Sequence, residues 1–353
     1  MAPRSRYGGP VNAFDTPAKV TLAHVAVAAG VSVMTVSRVV NDRPGVGPAT
    51  RARVRHAIAA LGYRPNIVAR GLKAHRSRTI GLIVPDVTNP YFPSIVRGAE
   101  DVASARGYTL LLTNVVEDVE REVAALEAFE DRRVDGVIAC SPRLAAERLD
   151  ALLARHHAAV IVNRRSNPDV AGSVRLDHEH GMRQLIRHVL ATGCHRLGIL
   201  SGPRDSHAGR ERLLGIDRET REHGITIPED HVVAGPPTVE GGRCTTLALL
   251  ARDPSIDALV CFNDLVAAGA LIALKEMGVA VPERTAVVGY DDIDFARMFT
   301  PPLTTMRAAT YDLGQHAMSM LLERMEGRGH GVDIVLQPEL VVRSSTRAIV
   351  GVP

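Results

Sequence analysis

The chain has 353 residues, of which 46% are hydrophobic, and this length is enough for two or three globular domains with large cores. Its net charge of +3 is unevenly distributed, because residues 1–78 hold 13 Lys and Arg against two acidic residues and the remainder holds 29 against 37. A basic N-terminal part joined to an acidic body is typical of a nucleic-acid-binding module attached to a second module. No apolar run has the pattern of a signal peptide or the length of a membrane span, so we expect a cytoplasmic protein without membrane contact.

Cysteine and histidine spacing gives no sign of a metal site. The four cysteines lie far apart, without the spacing of zinc ligands, and we interpret them as reduced thiols. The pairs His156–His157 and His178–His180 lack the i, i+4 spacing that places two imidazoles on one helix face, so we expect surface histidines. No Gly-rich phosphate loop follows a predicted strand, so we expect neither a metal nor a nucleotide cofactor.

Residues 20–41 are patterned as two short helices joined by a tight turn. The first helix has an apolar stripe at helical spacing, formed by Leu22, Val25, Ala26 and Ala29. Gly30 suits the left-handed conformation that ends a helix, and Ser32 is placed to cap the next one. A third helix is predicted from Pro48 to Gly62, with Val54, Ile58 and Leu61 as its apolar stripe.

The second helix turns three valines, Val36, Val39 and Val40, toward the first and leaves its other side chains on an outer face. A helix-turn-helix presents such a face to the major groove of DNA. The residues expected to contact DNA on this helix are Val33, Met34, Thr35, Ser37, Arg38 and Asn41. The alternative interpretation is a small helical hairpin inside a larger core.

Three segments, AGVS at 29–32, TVSRVVN at 35–41 and YRPN at 63–66, carry a resemblance to a known family. They occur in the order and at the spacing of the DNA-binding headpiece of the lactose-repressor (LacI-type) bacterial transcription regulators, and the resemblance extends to about residue 346. It implies that Val33, Met34 and Arg38 read bases. Arg38 suits a bidentate contact to guanine, whereas the two apolar side chains suit thymine methyl groups.

The resemblance also implies a hinge at residues 65–78. Taken alone, this segment predicts a flexible linker, since a two-turn helix that contains a glycine is marginal in water. In the family, the matching segment folds on DNA, pairs with a second copy and inserts a leucine into the minor groove. Leu72 occupies that position, with Lys73 beside it as flanking positive charge. We therefore expect a homodimer on a near-palindromic double-stranded operator. We see no leucine-heptad tail of the kind that joins dimers into tetramers, so we favour a dimer.

From residue 79 onward, short apolar runs alternate with amphipathic stretches, the pattern of parallel sheets covered on both faces. The strands of one predicted set are 79–84, 108–113, 134–140, 159–163 and 172–177, and those of the other are 195–201, 231–235, 257–262 and 285–290. Predicted helices include 120–132, 181–191 and 265–277. The expected fold class is α/β: a small all-α helix-turn-helix headpiece, then a two-lobed core of parallel sheets like that of periplasmic binding proteins.

This pattern predicts five segments along the chain. They are a disordered arm at 1–19, the headpiece at 20–64, the hinge helix and linker at 65–78, an effector-binding and dimerisation domain at 79–346, and a tail at 347–353. The N-terminal lobe of that domain is expected at about 79–178 and 310–337, and the C-terminal lobe at about 181–306 and 338–346.

Polar and aromatic residues follow the predicted strands at their carboxyl ends, where ligands bind in open parallel sheets. Each has a simpler role, since Asn and Asp often cap the next helix and Arg210 and Arg212 suit surface ion pairs. Their joint occurrence favours a cleft, and the resemblance supports the same set. The expected effector-binding residues are Asn89, Tyr91, Phe92, Asn163, Asp177, Arg212, Asn263 and Asp291.

A carboxylate with Asn and Arg beside it suits a polyhydroxylated ligand, so we expect a sugar or sugar derivative. Purine-binding members of the family carry an arginine where this chain has Ser206. No nucleophile elbow or pair of convergent carboxylates predicts an enzyme. The expected function is a ligand-controlled DNA-binding repressor, with inducer and corepressor control both open. The alternatives are a sugar-binding receptor of the periplasmic type and a DNA-binding protein whose cleft binds no effector.

Overall fold

The computed structural model describes residues 20–63, 76–329 and 331–348. The chain divides into two compact units, Met1–His75 and Arg76–Pro353, whose described parts are called here the headpiece and the body. The predicted arm at 1–19 and most of the predicted hinge, with Leu72 and Lys73, lie outside the described residues.

The headpiece consists of three helices, α1 (Leu22–Ala29), α2 (Val33–Val40) and α3 (Pro48–Ala60). The predicted turn between α1 and α2 is confirmed: Gly30 has φ 62°, and the Ser32 hydroxyl accepts a hydrogen bond from the Thr35 backbone N–H at 3.2 Å. Together the two helices pass a length and hydropathy test for a membrane span, bent by 105° between them, but no single helix in the described part of the chain does.

The headpiece core is built around Val25, Val36 and Val54, one from each helix and all fully buried. The prediction that Leu61 joins this core is wrong, since its side chain is 38% exposed. Leu61 lies at the C-terminal cap of α3, beyond the last inward-facing turn, and buried Tyr63 instead packs into the core. The three helices therefore enclose a small apolar interior and leave the outer face of α2 to solvent.

The first lobe of the body is a six-stranded parallel sheet in the order β11-β5-β4-β3-β1-β2. Its strands are β1 (Thr79–Val84), β2 (Thr109–Asn114), β3 (Gly136–Cys140), β4 (Ala159–Val162), β5 (Gly172–Leu176) and β11 (Asp333–Leu336). Its helices are α4 (Tyr91–Ala105), α5 (Val119–Asp131), α6 (Ala146–Leu153) and α11 (Thr310–Met325). Ile80 and Leu82 face α4 and α11, whereas Ile83 faces α5 and α6, so apolar helices cover both faces.

The second lobe is a four-stranded parallel sheet in the order β7-β6-β8-β9. Its strands are β6 (Leu197–Ser201), β7 (Val232–Ala234), β8 (Ala258–Cys261) and β9 (Ala286–Val288). Its helices are α7 (His178–Ala191), α8 (His207–Glu222), α9 (Val239–Arg252) and α10 (Asp264–Glu276). The two predicted sets of strands are thus two separate sheets, and the expected fold class is confirmed.

The chain passes between the two sheets three times. After β5 it enters α7, and after β10 (Thr305–Arg307) it returns to the first lobe through α11 and β11. It then crosses back as β12 (Glu339–Val341), which pairs antiparallel with β10. Strands β10, β11 and β12 were not among the predicted strands.

Helices α4 and α11 pack at unusually short range. A Cβ atom added to Gly314 would lie 2.0 Å from the carbonyl oxygen of Ile95, and one added to Gly98 would lie 2.1 Å from that of Tyr311. Glycine at both positions therefore allows the two backbones to touch. This contact ties a late segment of the chain to the first helix of the body.

Candidate functional site

The outer face of α2 is exposed and carries two apolar side chains and a cation. Val33 is 46% exposed and Met34 67% exposed, and Arg38 is also exposed. Burial of Val36 and Val39 against the other helices fixes which side of α2 points outward. This surface has the size and shape of an element that enters the major groove.

The other predicted DNA contacts of α2 make local hydrogen bonds in the headpiece. The Thr35 hydroxyl lies 2.9 Å from the Ser32 hydroxyl, and the Asn41 side-chain amide donates to the Ser37 carbonyl at 2.7 Å. These side chains stabilise the two ends of the helix. The three residues with freely presented side chains are thus the same three that the resemblance assigns to base reading.

In the body, a cleft lies where the carboxyl ends of both sheets meet, and its volume is about 420 Å³ when the open solvent at its entrance is included. The first lobe lines it with Asn89, Tyr91, Phe92, Glu117, Ser141, Arg143 and Asn163. The second lobe lines it with Ser206, Ala208, Arg212, Pro237, Phe262, Asn263 and Asp291. Seven of the eight predicted effector-binding residues are among them.

Arg212 on α8 is the centre of the second-lobe wall and is only 5% exposed. Its guanidinium stacks 3.7 Å from the centre of the Tyr290 ring, donates to the Phe262 carbonyl, and lies 3.5 Å from a carboxylate oxygen of Asp291. The alternative of a surface ion pair therefore fails for Arg212. Arg210 is exposed, but it bonds to backbone carbonyls of its own loop rather than to an acidic side chain.

His178 lies beneath Arg212, and the expectation of a surface histidine is wrong for it, because the side chain is 1% exposed. Its Nδ1 accepts from Arg212 Nε at 3.4 Å and lies 3.3 Å from the Tyr290 hydroxyl. Burial, together with the charge of Arg212, holds the pKa of His178 well below its usual value. The neutral imidazole of His178 therefore helps to hold the Arg212 guanidinium in position by accepting its hydrogen bond.

Asp291 is presented by a loop that Asp264 holds in place. The buried Asp264 carboxylate accepts from the Ile293 backbone N–H at 2.9 Å and from the Thr305 hydroxyl at 2.6 Å. Its own backbone N–H donates to the Tyr290 carbonyl at 2.9 Å. Asp291 itself has φ 119°, a strained conformation that is typical of functional positions.

The neighbouring Asp292 is turned away from this position. Its carboxylate pairs with Arg307 at 2.9 Å and with Arg343 at 2.6 Å. Of the two adjacent aspartates, Asp291 lines the cleft, whereas Asp292 pairs with these two arginines and is not part of the lining.

The first-lobe wall is organised around Asn163, which has φ 61° and is buried. Its amide nitrogen donates to the Tyr91 hydroxyl at 2.6 Å and to the Ser141 hydroxyl at 3.2 Å. Its Oδ1 is buried and has no hydrogen-bond partner among the described residues. Phe92 packs edge-on against Tyr91, with ring centres 5.1 Å apart, and gives the wall an apolar surface.

Asn263 and Asp177 both act as helix caps, as the simpler interpretation expected. Asn263 caps α10 by accepting from the Val266 N–H at 2.9 Å, yet it also lines the cleft. Asp177 caps α7 and accepts from Gln337 at 3.3 Å, and it is not among the residues that line the cleft. Capping has directed the Asp177 side chain toward its own helix.

Sequence analysis missed four cleft residues of chemical interest, namely Glu117, Ser141, Arg143 and Phe262. Each follows the end of a parallel strand within a few residues, which is the signal that identified the others. Within the described part of the chain, no group of three or more His, Cys, Asp or Glu is placed to hold a metal ion.

Burial raises the pKa of Asp291 to about 7, although Arg212 opposes the shift. An aspartate in the unfolded chain releases its proton near pH ~3.9, so the folded state binds more protons between these values. The free energy of unfolding of the wild type is therefore expected to fall, relative to Asp291→Asn, as the pH rises from about 4 to 7. Urea unfolding of both proteins across this range measures the difference.

Asp294→Asn, on the exposed turn just after Asp291, is the matched control for that experiment. Parallel pH profiles for the wild type and Asp291→Asn would contradict a buried, proton-retaining carboxyl at this position.

Comparison with known proteins matches both units of the chain. The family description "Bacterial regulatory proteins, lacI family" matches residues 21–66, and "Periplasmic binding proteins and sugar binding domain of LacI family" matches residues 77–343. The HTH-type transcriptional repressor PurR of Haemophilus influenzae (strain PittEE) is 35% identical over 334 residues, which cover 93% of this chain and 99% of that protein.

Two solved structures extend the likeness to the fold. The Lac repressor dimer bound to operator and the anti-inducer ONPF is 30% identical with a TM-score of 0.84, covering 93% of this chain and 99% of that one. The complex of the transcriptional regulator CelR with cellobiose is 32% identical with a TM-score of 0.71, covering 92% and 99% of the two chains.

Proposed function

The chain belongs to the LacI family of bacterial DNA-binding transcriptional regulators, and from that premise we propose that it is a homodimeric repressor controlled by a sugar or sugar derivative. Two headpieces would read the half-sites of a near-palindromic operator in the cytoplasm, since a two-fold protein requires two-fold DNA. The Lac repressor, similar over 93% of this chain, is a dimer on its operator.

The outward face of α2 supports the DNA-binding part of the proposal. Arg38 would donate both guanidinium edges to guanine, and Val33 and Met34 would pack on thymine methyl groups. Thr35, Ser37 and Asn41, which stabilise the helix ends, would contact phosphates with their remaining hydrogen-bonding capacity. Leu72 and Lys73 are proposed to act at the minor groove, and they lie outside the described residues.

The observation that carries the effector part is that Arg212, Asp291 and Asn263 line one wall of the cleft, with Arg212 paired to Asp291. An ionised carboxylate accepts from two neighbouring hydroxyls, while the guanidinium and the amide donate to others. Tyr91 and Phe92 offer the apolar surface that the face of a sugar ring requires. Asn89 and Asn163 are proposed as contacts from the facing wall, whereas Asp177 is a weaker candidate because its carboxylate caps α7.

Two alternatives are less well supported. A periplasmic-type receptor shares the two-lobed body, but it would have no use for a basic headpiece that matches a DNA-binding family. A purine ligand is disfavoured by Ser206, where purine-binding members of the family carry an arginine. Ser206 is buried, and its hydroxyl oxygen accepts a hydrogen bond from the Gly209 backbone N–H at 3.1 Å. The relatives are regulators, and we propose no catalytic role.

The decisive experiment selects bound sequences from random duplex DNA with the full-length protein, without ligand and with pools of sugars and nucleobases. We expect one near-palindromic site whose occupancy changes with a single sugar, and the direction of the change separates inducer from corepressor. By linkage, the operator must change the affinity for that sugar by the same factor. Recovery of no preferred site at low salt, with or without ligands, would support the receptor alternative instead.

A further inference from the structure

The first-lobe wall of the cleft contains a second ion pair, between Glu117 and Arg143. Arg143 Nε lies 2.8 Å and Nη2 lies 2.7 Å from the same carboxylate oxygen, Oε2 of Glu117. The Arg143 side chain is 5% exposed and that of Glu117 is 28% exposed. Because both contacts end on Oε2, the other oxygen of Glu117 remains able to accept from another donor.

The surrounding backbone holds this pair in position. The backbone N–H groups of Arg143 and Leu144 donate to the buried Glu122 carboxylate at 2.8 and 3.1 Å. Val116 and Glu117 have φ 53° and 57°, left-handed values that cost energy in residues other than glycine. Strain of this kind is retained where the surrounding structure and the function require one orientation.

Above pH 7, where Asp291 is ionised, the charges that line the cleft balance on each wall. Of the described lining residues, four carry charge, and they form two pairs: Glu117 with Arg143 on the first lobe and Asp291 with Arg212 on the second. Arg164 and Arg210 lie nearby but donate to backbone carbonyls and are not part of the lining. A charged ligand would therefore face one residue of like charge on either wall, and the residue of opposite charge on that wall would already be paired.

We propose that the effector is an electrically neutral sugar and that the Glu117–Arg143 pair forms its hydroxyl-binding subsite on the first lobe. The proposal rests on the proposed function, in which the cleft takes a sugar. The free Glu117 oxygen accepts a sugar hydroxyl, and Arg143 donates to a neighbouring one, as Asp291 and Arg212 do on the facing wall. Each lobe then binds hydroxyls of the ligand through one carboxylate–guanidinium pair.

Titration calorimetry of the full-length protein at pH 8, where Asp291 is ionised, tests the charge preference. The panel contains glucose, galactose, lactose and cellobiose, together with glucuronate, galacturonate, gluconate, glucose 6-phosphate and glucosamine. We expect the tightest ligand to be neutral and its charged counterparts to bind at least tenfold more weakly. A tighter carboxylate, phosphate or amino derivative overturns the proposal, and so does the failure of every neutral sugar to bind at millimolar concentration.

Substitution of the pair tests the subsite itself. Glu117→Gln leaves Arg143 unpaired, so it should weaken binding of the neutral sugar about tenfold. The ratio of the affinity for the neutral sugar to that for the corresponding acid should fall, or the acid should become the tighter ligand. Arg143→Gln leaves Glu117 unpaired and should disfavour the acid still further. Glu117→Asp keeps the charge but draws the carboxylate back, so it should weaken the neutral sugar without admitting the acid.

The matched control is Glu120→Gln, which breaks an exposed ion pair with Arg148 that is not part of the cleft lining. It should leave sugar binding unchanged, and thermal unfolding midpoints verify that each variant is folded. Unchanged affinity and charge preference in folded Glu117→Gln would overturn the subsite. Operator selection in the absence of sugar is independent of this result, so failure of the subsite is distinguishable from failure of the repressor proposal.

Discussion

Arg212→Ala is expected to reduce sugar affinity about 30-fold or more, since truncating one partner of a buried, hydrogen-bonded charge pair costs about 2–5 kcal/mol. The substitution removes the donor to the ligand, leaves Asp291 unpaired and frees the Phe262 carbonyl. Without sugar, the variant should bind the selected operator as the wild type does, because Arg212 belongs to the body and the base-reading helix to the headpiece. Its operator occupancy should no longer respond to sugar.

Arg210→Ala provides the matched control, on the same helix and only two residues away. Arg210 is exposed and does not line the cleft, so its loss should change sugar affinity by less than about twofold, within the range of surface substitutions. The two measurements are calorimetry with the tightest sugar and operator binding at rising sugar concentration. A folded Arg212→Ala protein that keeps its sugar response would contradict the assigned role.

Arg38→Ala is expected to cost about 1–3 kcal/mol in operator binding, or about 5-fold to 160-fold, with relaxed preference at one base pair of each half-site. Arg38 is the cation on the exposed face of α2, and a Cβ added to Gly45 would lie 3.5 Å from its Nη1. The Arg38 guanidinium therefore lies close to the loop that follows α2.

Arg53→Ala separates base reading from general charge. Arg53 is exposed on α3, and its loss removes the same single positive charge from the headpiece. It should weaken binding to operator and to random DNA by similar factors, as expected for a phosphate contact. Competition binding against random duplexes gives the specificity ratio, and an Arg38→Ala variant with an unaltered ratio would exclude Arg38 from base reading.

The fold is predictable from the amino-acid sequence because the signals that specify its elements are local. The runs TIGLIV and ALVC are apolar throughout, as strands covered on both faces must be, and they form β1 and β8. Gly30 and Ser32 specify the turn of the headpiece through backbone conformation and capping alone. Helix α7 begins three residues earlier than predicted, because its cap is Asp177, which sequence analysis had assigned to ligand binding.

The candidate site was predictable only in part, because side-chain direction depends on contacts distant in sequence. Asn263 and Asp177 look alike in the sequence, yet only Asn263 reaches the cleft. His178 appeared to be a surface residue, and it is buried because Tyr290 and Arg212, far along the chain, close over it. Arg143 has the appearance of a loop cation until Glu117, 26 positions earlier, pairs with it.

The order in which the chain is synthesised has a consequence for the first lobe. Translation proceeds from the N-terminus, and domains generally fold as they leave the ribosome. Strand β5 gains its outer neighbour, β11, only after the four-stranded sheet of the second lobe has been made, and α4 is covered by α11 only after that sheet. During that interval the nascent lobe has an unpaired strand edge and an uncovered apolar helix face, both of which favour aggregation. The growing polypeptide is therefore most dependent on chaperones before residue 310 has emerged.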